Sequence, residues 1–322
     1  MKFDLNCKIS LTVTILFLMS LAFCYVLKNQ HYKKELFKFI ADNNFSEGNY
    51  FQSSKYYKKL ISMGDGDEDV YKNMAISMIK TGYYDRAIEY LKKVLKKDKS
   101  SDVYYALGYA YYQKAQTLDS LSIFNKAMGY LNESITLNKD NNLAYRLMGR
   151  IFEHLQKFDR ARIWYNKALI NVNDKSELYN FIAYTYKEEG DLDNAVNFYK
   201  KAIESNDKNI LAYCGLGEIY RQKEDFQQAI ECYNQAIKTD TGYIMPYYKI
   251  GRIYYEKKEY EKALGWYFQA LRFDTKNNIV NYYIGKVYKD TNMPSKAAEY
   301  FKTAAYCGND DAIKELKEMS ER

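Results

Sequence analysis

The sequence contains few of the residue types on which enzyme and metal sites depend. It has only two histidines, His31 and His154, and five cysteines, none of them paired as CxxC. This pattern supports neither a zinc site nor a disulfide framework. The GxxxxGK, GxGxxG, HExxH and GxSxG motifs are missing as well. We therefore expect a chain that is not an enzyme and that carries no metal or cofactor.

Charge of one sign is not concentrated anywhere along the chain. The formal net charge is +7, but the lysines are spread out and stand beside aspartate and glutamate. Such mixed charges are typical of solvated helix faces. Because the sequence has no dense basic run and no recognised nucleic-acid motif, we do not expect it to bind nucleic acid.

Small residues recur at a fixed interval of 34 residues. Three columns keep this step: Gly149, Ala183, Gly217, Gly251 and Gly285; Ala161, Ala195, Ala229, Ala263 and Ala297; Ala168, Ala202, Ala236, Ala270 and Ala304. A period in this range indicates an array of stacked repeats. The leading interpretation is therefore a binding scaffold.

Each period contains the pattern of two helices. In residues 213–238, apolar and small residues recur at i, i+3, i+4 and i+7 on both sides of a short polar stretch, Gln222–Asp225. The polar stretch is long enough only for a tight antiparallel turn. The small residues are expected where the two helices cross. One hairpin cannot bury its own apolar face, so neighbouring hairpins must stack.

The columns resemble the tetratricopeptide repeat. One copy reads Tyr145, Met148-Gly149, Phe152, Ala161, Tyr165. The small-residue positions of the copies are Ala41, Ala75, Gly108, Gly149, Ala183, Gly217, Gly251 and Gly285. The resemblance implies an all-α fold, a right-handed α-solenoid of about eight helix hairpins over residues 34–309. The family's usual proline near the end of each repeat is missing, which predicts softer turns.

Two segments depart from the regular repeat. In repeat three, 19 residues separate Gly108 from Ala127, against 12 in the other copies. Seven extra residues are about two helical turns, and they predict a longer hairpin at residues 102–140. It is either a neutral length variant or a hairpin that contacts a partner. Residues 310–322 are expected to form a C-terminal capping helix.

An apolar stretch precedes the repeats. Residues 9–27 are uncharged and mainly apolar, close to the length that spans a bilayer. We favour a retained transmembrane or signal-anchor helix between a short tail, residues 1–8, and a juxtamembrane linker, residues 28–33. The alternatives are a signal peptide cleaved after Ala22 and a lipoprotein box that ends at Cys24.

The expected localisation is a single-pass membrane protein, with the side of the repeat array left open. More lysines follow residues 9–27 than precede them, which favours an array in the cytoplasm. A short N-terminus before a signal-like stretch favours export instead. A secreted or periplasmic protein after cleavage is the alternative.

The family resemblance implies where a partner would bind. The first helix of each hairpin lines the concave face in this family, and tyrosine and arginine are enriched at binding hot spots. The sharpest local signal is Tyr105, Tyr109 and Tyr112, spaced i, i+4 and i+7. The candidate groove residues are Tyr105, Tyr109, Tyr112, Arg146, Arg150, Tyr184, Lys187, Arg221, Tyr248, Arg252, Tyr255, Tyr282 and Lys286.

The sequence thus predicts a membrane-anchored scaffold or adaptor that binds a protein or an extended peptide through its concave groove. One alternative is an exported or periplasmic repeat protein. Another is a non-catalytic recognition or regulatory subunit of a separate membrane enzyme. Whether the chain forms homo-oligomers is left open. The lysine and asparagine pattern of the carboxylate clamp is not reproduced, so that ligand is not assigned.

Overall fold

The computed structural model describes residues 30–170 and 172–321, and every regular element in these ranges is an α-helix. The chain divides into two compact units, one up to Ile151 and the other from Phe152 onward. The all-helical fold class agrees with the sequence. The right-handed sense of the array stays a prediction.

The first unit consists of helix hairpins joined by short turns. Its helices are α1 (Gln30–Ser46), α2 (Tyr50–Ser62), α3 (Glu68–Lys80), α4 (Tyr84–Leu95), α5 (Ser101–Leu118), α6 (Leu121–Leu137) and the larger part of α7 (Asn142–His154). Within it α1 packs on α2, α3 on α4 and α5 on α6, while α2 also packs on α3 and α4 on α5.

The second unit repeats this arrangement. It contains the last residues of α7, then α8 (Phe158–Ala168), α9 (Ser176–Glu188), α10 (Leu192–Ser205), α11 (Ile210–Gln222), α12 (Phe226–Thr239), α13 (Ile244–Glu256), α14 (Tyr260–Leu271), α15 (Asn278–Asp290), α16 (Pro294–Tyr306) and α17 (Asp310–Ser320). The pairs α9–α10, α11–α12, α13–α14 and α15–α16 pack as hairpins, and α17 packs on α16.

The turns inside the hairpins share one backbone feature. A residue with positive φ, between 55° and 84°, occurs every 34 residues: Gln156, Gly190, Glu224, Lys258 and Asn292. A left-handed residue ends a helix because its amide can reach the last free carbonyls. Glycine supplies the positive-φ residue in three hairpins, at Gly48, Gly82 and Gly190, and other residues supply it in the rest, at Asp119, Gln156, Glu224, Lys258 and Asn292.

Each first helix is held close to its second helix by a small residue that faces a large side chain. A Cβ added at Gly217 would lie 2.8 Å from the ring of Tyr233, and one at Gly285 would lie 2.6 Å from the ring of Phe301. In both hairpins the ring comes 16 residues after the glycine. The small-residue column therefore makes room for a specific ring of the second helix.

The hairpin of repeat three is longer than its neighbours. Helix α5 has 18 residues and α6 has 17, against 13 in α13 and 12 in α14. Its turn carries two leucines, Leu118 and Leu121, which are 58% and 56% exposed. Whether this turn contacts a partner stays a prediction.

The predicted single-pass membrane localisation needs correction. Among residues 30–170 and 172–321, no helix has both the length and the apolar character that a bilayer crossing requires. Several of these helices carry charged side chains along one face, as α3 does with Lys72 and Lys80. Residues 9–27, on which the prediction was based, lie outside the described residues. The structure therefore gives no support to a single-pass membrane protein.

The close approach in the hairpins can be tested by a matched pair of substitutions. We expect Gly251→Ala to lower the free energy of unfolding by about 1–3 kcal/mol, because the new Cβ would lie 2.5 Å from the ring of Tyr267. Gly129→Ala is the control. Gly129 lies inside α6 with no neighbour within 4 Å of an added Cβ. Alanine at this position should therefore raise the free energy of unfolding by about 0.5–1 kcal/mol. Urea unfolding measures both, and equal effects would contradict this account.

Candidate functional site

The first unit contains a cavity of about 490 Å³ between three first helices, α3, α5 and α7. Four of the predicted groove residues line it together: Tyr105 and Tyr109 of α5, and Arg146 and Arg150 of α7. They meet because side chains one helical turn apart lie on the same helix face. Its volume is that of a site for a ligand of small-molecule size.

The two tyrosines form the aromatic part of the cavity. The rings of Tyr105 and Tyr109 stack with centroids 6.3 Å apart and planes 13° apart. The Lys80 ammonium lies 5.8 Å from the centroid of the Tyr109 ring. Burial raises the pKa of Tyr105, and the positive charge of Arg146 acts against that rise. The Tyr105 hydroxyl is therefore a neutral hydrogen-bonding group at pH 7.

Positive charge predominates around the tyrosines. Four basic side chains and a single carboxylate line the cavity: Lys72, Lys80, Arg146, Arg150 and Asp102. The carboxylate lies 3.7 Å from the Lys72 ammonium across α3 and α5. The remaining lining is aliphatic: Ile76, Ile79, Ala106, Leu143 and Leu147. Such a surface combines apolar contact area with electrostatic attraction for anionic groups.

The structure places Tyr112, the third tyrosine of the sequence signal, in the core. Its side chain is only 2% exposed, and its ring centroid is 6.2 Å from that of Phe124 in α6. Tyr112 therefore contributes to the packing of the long hairpin and is not among the residues that line the cavity.

In the second unit, two predicted arginines belong to an ion-pair network. Arg221 contacts Glu218 at 2.7 Å and Glu256 at 2.8 Å, and Arg252 contacts Glu256 at 3.1 Å. The Lys249 ammonium also contacts the Glu218 carboxylate, at 2.6 Å. These side chains neutralise one another across α11 and α13.

Glu218 is the centre of this network. Burial acts to raise its pKa, but hydrogen bonds from Arg221 and Lys249 outweigh that effect and lower the pKa to about 2. The Tyr233 hydroxyl also donates to this carboxylate, over 3.2 Å. Glu218 is therefore held ionised as a structural link between neighbouring repeats.

The other predicted residues of the second unit form two smaller groups. The Lys187 ammonium lies 5.0 Å from the centroid of the Tyr184 ring. The Lys286 ammonium lies between two rings, 5.6 Å from Tyr255 and 5.9 Å from Tyr282. The Tyr255 hydroxyl donates to Asp290 over 2.6 Å.

Tyr248 is half-buried on α13, beside the Glu218 network. Burial raises the pKa of Tyr248 to about 12. The Lys249 ammonium lies 5.6 Å from the centroid of its ring.

Sequence reasoning missed the contribution of repeat two to the cavity. Lys72 stands three residues before Ala75, as Tyr105 stands before Gly108 and Arg146 before Gly149. The same offset from the small residue would have identified Lys72. Lys80 lies at the end of α3, and its distance from Ala75 in the sequence does not match that of any predicted groove residue.

Within the described ranges, no group of histidine, cysteine, aspartate or glutamate side chains is arranged to hold a metal ion. Cys214 and Cys232 are buried free thiols, and burial raises the pKa of Cys232 to about 11.

The role of Glu218 predicts a specific dependence of stability on pH. Because its folded pKa of about 2 lies below the ordinary 4.5, its contribution is present above about pH 4.5 and is lost as the pH falls toward 2. We expect Glu218→Gln to lower the free energy of unfolding by roughly 1–3 kcal/mol at pH 7. We also expect it to reduce the fall of that free energy below pH 4.5. Urea unfolding at several pH values measures this. Glu204, which is exposed, is the control, and an equal effect of Glu204→Gln would count against the network.

Solved structures with the same fold support a helical-repeat architecture. Yeast Tom70 is 17% identical with a TM-score of 0.69, over 84% of this chain and 58% of Tom70. A chain of the APC/C hetero-tetramer Cut9–Hcn1 is 18% identical with a TM-score of 0.56, over 94% of this chain and 59% of that one. The chain thus spans less than two thirds of either relative. Pseudomonas aeruginosa PilF is 18% identical with a TM-score of 0.53, over 69% of this chain and 98% of PilF.

No curated protein matches the sequence. Two family models do. A model of the tetratricopeptide repeat matches residues 251–292, and a model described as tetratricopeptide repeat protein 21 N-terminal ARM repeat matches residues 47–264. A repeat scaffold of this type suggests a role in protein–protein interaction. Since the second match covers more than half of the chain and both units contain paired helices, the chain belongs to the family of tetratricopeptide repeat protein 21 N-terminal ARM repeats.

Proposed function

We propose that this chain is a scaffold or adaptor that binds an extended segment of a partner protein in the cavity between α3, α5 and α7. The observation that carries this proposal is the stacked pair Tyr105 and Tyr109 inside a cavity of about 490 Å³. Tyrosine is enriched at binding hot spots because it combines large contact area with a directed hydrogen bond. No catalytic step is part of the proposal.

The composition of the cavity lining supports a protein ligand. Aliphatic side chains from all three helices surround the tyrosines, for example Ile76, Ala106 and Leu147. Apolar side chains of a partner can be buried against them, which supplies the non-directional part of the binding energy. The basic side chains of the same lining then orient polar groups of the partner. Protein interfaces commonly combine apolar area with polar groups in this way.

Ion pairs in the second unit argue against an anionic ligand at its predicted arginines. Arg221 and Arg252 are both held by glutamates of their own unit. Binding an anionic group there would compete with close ion pairs, and breaking a partly buried pair is costly. We therefore propose that these predicted groove residues stabilise the repeat stack.

The remaining segments have structural roles in this proposal. The repeat array covers residues 34–309, and α17 closes its last hairpin. Ala312 of α17 is fully buried in one cluster with Phe301 and Ala304, and Leu316 and Met319 pack against this cluster. A helix that covers the open end protects the apolar face that a next repeat would otherwise cover.

The proposal predicts that the two tyrosines determine partner binding. We expect Tyr105→Ala combined with Tyr109→Ala to weaken capture of the native partner at least about tenfold, because each ring supplies buried contact area. Quantitative mass spectrometry of proteins that co-purify with the full chain identifies the partner. Titration of the purified partner then measures the affinity.

The matched control is Tyr306→Ala. Tyr306 is 86% exposed at the end of α16. Its replacement shows whether the loss of a tyrosine outside the cavity changes partner binding. Circular dichroism must show equal helix content in all variants. If the double variant kept full affinity for every partner, the cavity would not be the binding site and the proposal would fail.

A further inference from the structure

The first unit contains a second cavity, of about 410 Å³, between α4, α5 and α6. We call it the α6 cavity, because four of its seven lining residues belong to that helix. Tyr104 and Tyr111 of α5 line it. Tyr105 and Tyr109, on a different face of the same helix, line the cavity between α3, α5 and α7.

We propose that the α6 cavity binds a phosphate monoester that contains an aromatic ring and, on the far side of that ring, a hydrogen-bond donor. This site is separate from the one in which a partner protein is proposed to bind. The order of charges and rings along the cavity carries the assignment, since each part of the lining matches one part of such a ligand.

One face of α6 supplies the longest wall of the cavity. Four of its residues stand at i, i+3, i+4 and i+7, the spacing of a single helix face: Lys126, Gly129, Tyr130 and Glu133. Seven residues of α-helix rise about 10 Å. The wall is therefore basic at one end and acidic at the other, with glycine and tyrosine between the two charges.

The basic end also receives groups from α4 and α5. Because α5 and α6 run antiparallel, residues at similar distances from their turn lie side by side, so Tyr111 belongs to the Lys126 end and Tyr104 to the Glu133 end. The Lys92 ammonium of α4 lies 5.9 Å from the centroid of the Tyr111 ring. A hydrogen bond with the Tyr111 hydroxyl raises the pKa of Lys92. Two ammonium groups and a phenol hydroxyl thus belong to the same end.

The two lysines are not neutralised by the protein. Their neighbour Lys93 is paired with Glu89 at 2.9 Å, whereas neither Lys92 nor Lys126 forms an ion pair with a carboxylate of residues 30–170 and 172–321. A phosphate monoester has a charge of about −2 at pH 7 and strong acceptor oxygens. Two ammonium groups and a phenol hydroxyl match that charge and supply hydrogen bonds to those oxygens.

Gly129 leaves the middle of the α6 cavity open. Glycine inside a helix is destabilising relative to alanine. Packing does not require it here, because a Cβ added at Gly129 would have no neighbour within 4 Å. The missing side chain leaves backbone uncovered next to Tyr130, and glycine is the residue type that lets a ligand approach the backbone closely. A flat group of the ligand therefore fits this position.

Tyrosine rings supply the surface for that flat group. The ring of Tyr130 stacks on that of Tyr111, with centroids 5.3 Å apart and planes 9° apart. The centroid of the Tyr104 ring is 6.4 Å from that of Tyr130. Tyr104 and Tyr130 are only half-buried, so part of each ring is open to a ligand. Aromatic rings pack favourably on one another, which selects an aromatic group for the middle of the ligand.

The acidic end determines what the ring must carry on its far side. Glu133 is exposed and is the one carboxylate among the lining residues of the α6 cavity. A ligand whose phosphate lies at the lysines would bring the opposite side of its ring near Glu133. A carboxylate accepts hydrogen bonds, so an amine or a hydroxyl fits there, and a second acidic group would be repelled.

The test uses O-phosphotyramine, in which a phosphate, a benzene ring and an amine follow one another. We expect isothermal titration calorimetry on the full chain to show that it binds. Phenyl phosphate, which lacks the amine, should bind more weakly, and inorganic phosphate more weakly again. Glu133→Gln should remove the advantage of O-phosphotyramine over phenyl phosphate without weakening the binding of phenyl phosphate, because only the amine reaches this carboxylate.

Two sets of variants test the site itself. Gly129→Leu fills the open middle and should lower the affinity for O-phosphotyramine at least about tenfold, since the new side chain occupies the place of the ring. Gly265→Leu is the control, because Gly265 lies inside α14 and also has no neighbour within 4 Å of an added Cβ. Lys92→Gln combined with Lys126→Gln should also lower the affinity at least about tenfold. Lys97→Gln, at an exposed lysine outside the lining, should leave it unchanged. Circular dichroism confirms that each variant is folded.

Failure of this inference can be told from failure of the proposed function. Tyr105→Ala combined with Tyr109→Ala should leave the binding of O-phosphotyramine unchanged. If inorganic phosphate bound as tightly as O-phosphotyramine, the site would hold an adventitious ion only and the inference would be overturned. Absence of binding at millimolar concentration, or unchanged affinity in Gly129→Leu, would overturn it as well. Tighter binding of adenosine monophosphate would identify a free nucleotide as the source of the phosphate, and tighter binding of a phosphotyrosine peptide a modified protein. Either result supports the inference.

Discussion

The close contact between a small residue on one helix and a large side chain on the next is the constraint from which the rest of the structure follows. At Gly251 a single added carbon would come within 2.5 Å of the Tyr267 ring, so the helix backbones are as near as that ring allows. This contact fixes the rotation of the first helix about its own axis. The positions three residues before and one residue after the small residue then face the neighbouring first helices. In three successive repeats these two positions line the cavity: Lys72 and Ile76, Tyr105 and Tyr109, Arg146 and Arg150.

The sequence predicted the helices well because their packing residues repeat, and the repeat is visible in one sequence. It located the hairpin turns, as at Gln222–Asp225, but it did not predict their backbone conformation, since four different side chains adopt the left-handed conformation at the same column. Tyr112 was misplaced for a geometric reason. The equivalent residues Lys187 and Arg221 lie one residue before the end of their helices, whereas α5 continues for six residues beyond Tyr112. The longer α6 runs beside it, and Phe124 covers its ring.

Charge pairing explains why the candidate site could be predicted only in part. Arg146 and Arg221 occupy similar surfaces in the sequence pattern, and both were candidate contacts. Arg146 lines the cavity, whereas Arg221 contacts Glu218 one turn earlier in its own helix and Glu256 in the next repeat. A pairing that joins residues 35 positions apart depends on how repeats stack. The position of a residue within its repeat therefore identifies it as a candidate groove residue. The packing of neighbouring repeats determines which of these candidates line the cavity.

Tyrosine has two opposite roles in this chain, and its abundance of 36 copies conceals the difference. Tyr233 is fully buried against Gly217 and donates to Glu218, and burial raises its pKa. Tyr105 borders a cavity, beside basic side chains. The first role fixes the distance between two helices, so it tolerates little change. The second involves a ring that stacks on Tyr109 of the same helix and does not set the distance between two helices. Residues at the cavity positions can therefore vary between repeats without loss of the fold, so a regular array can form a cavity with its own lining at one place.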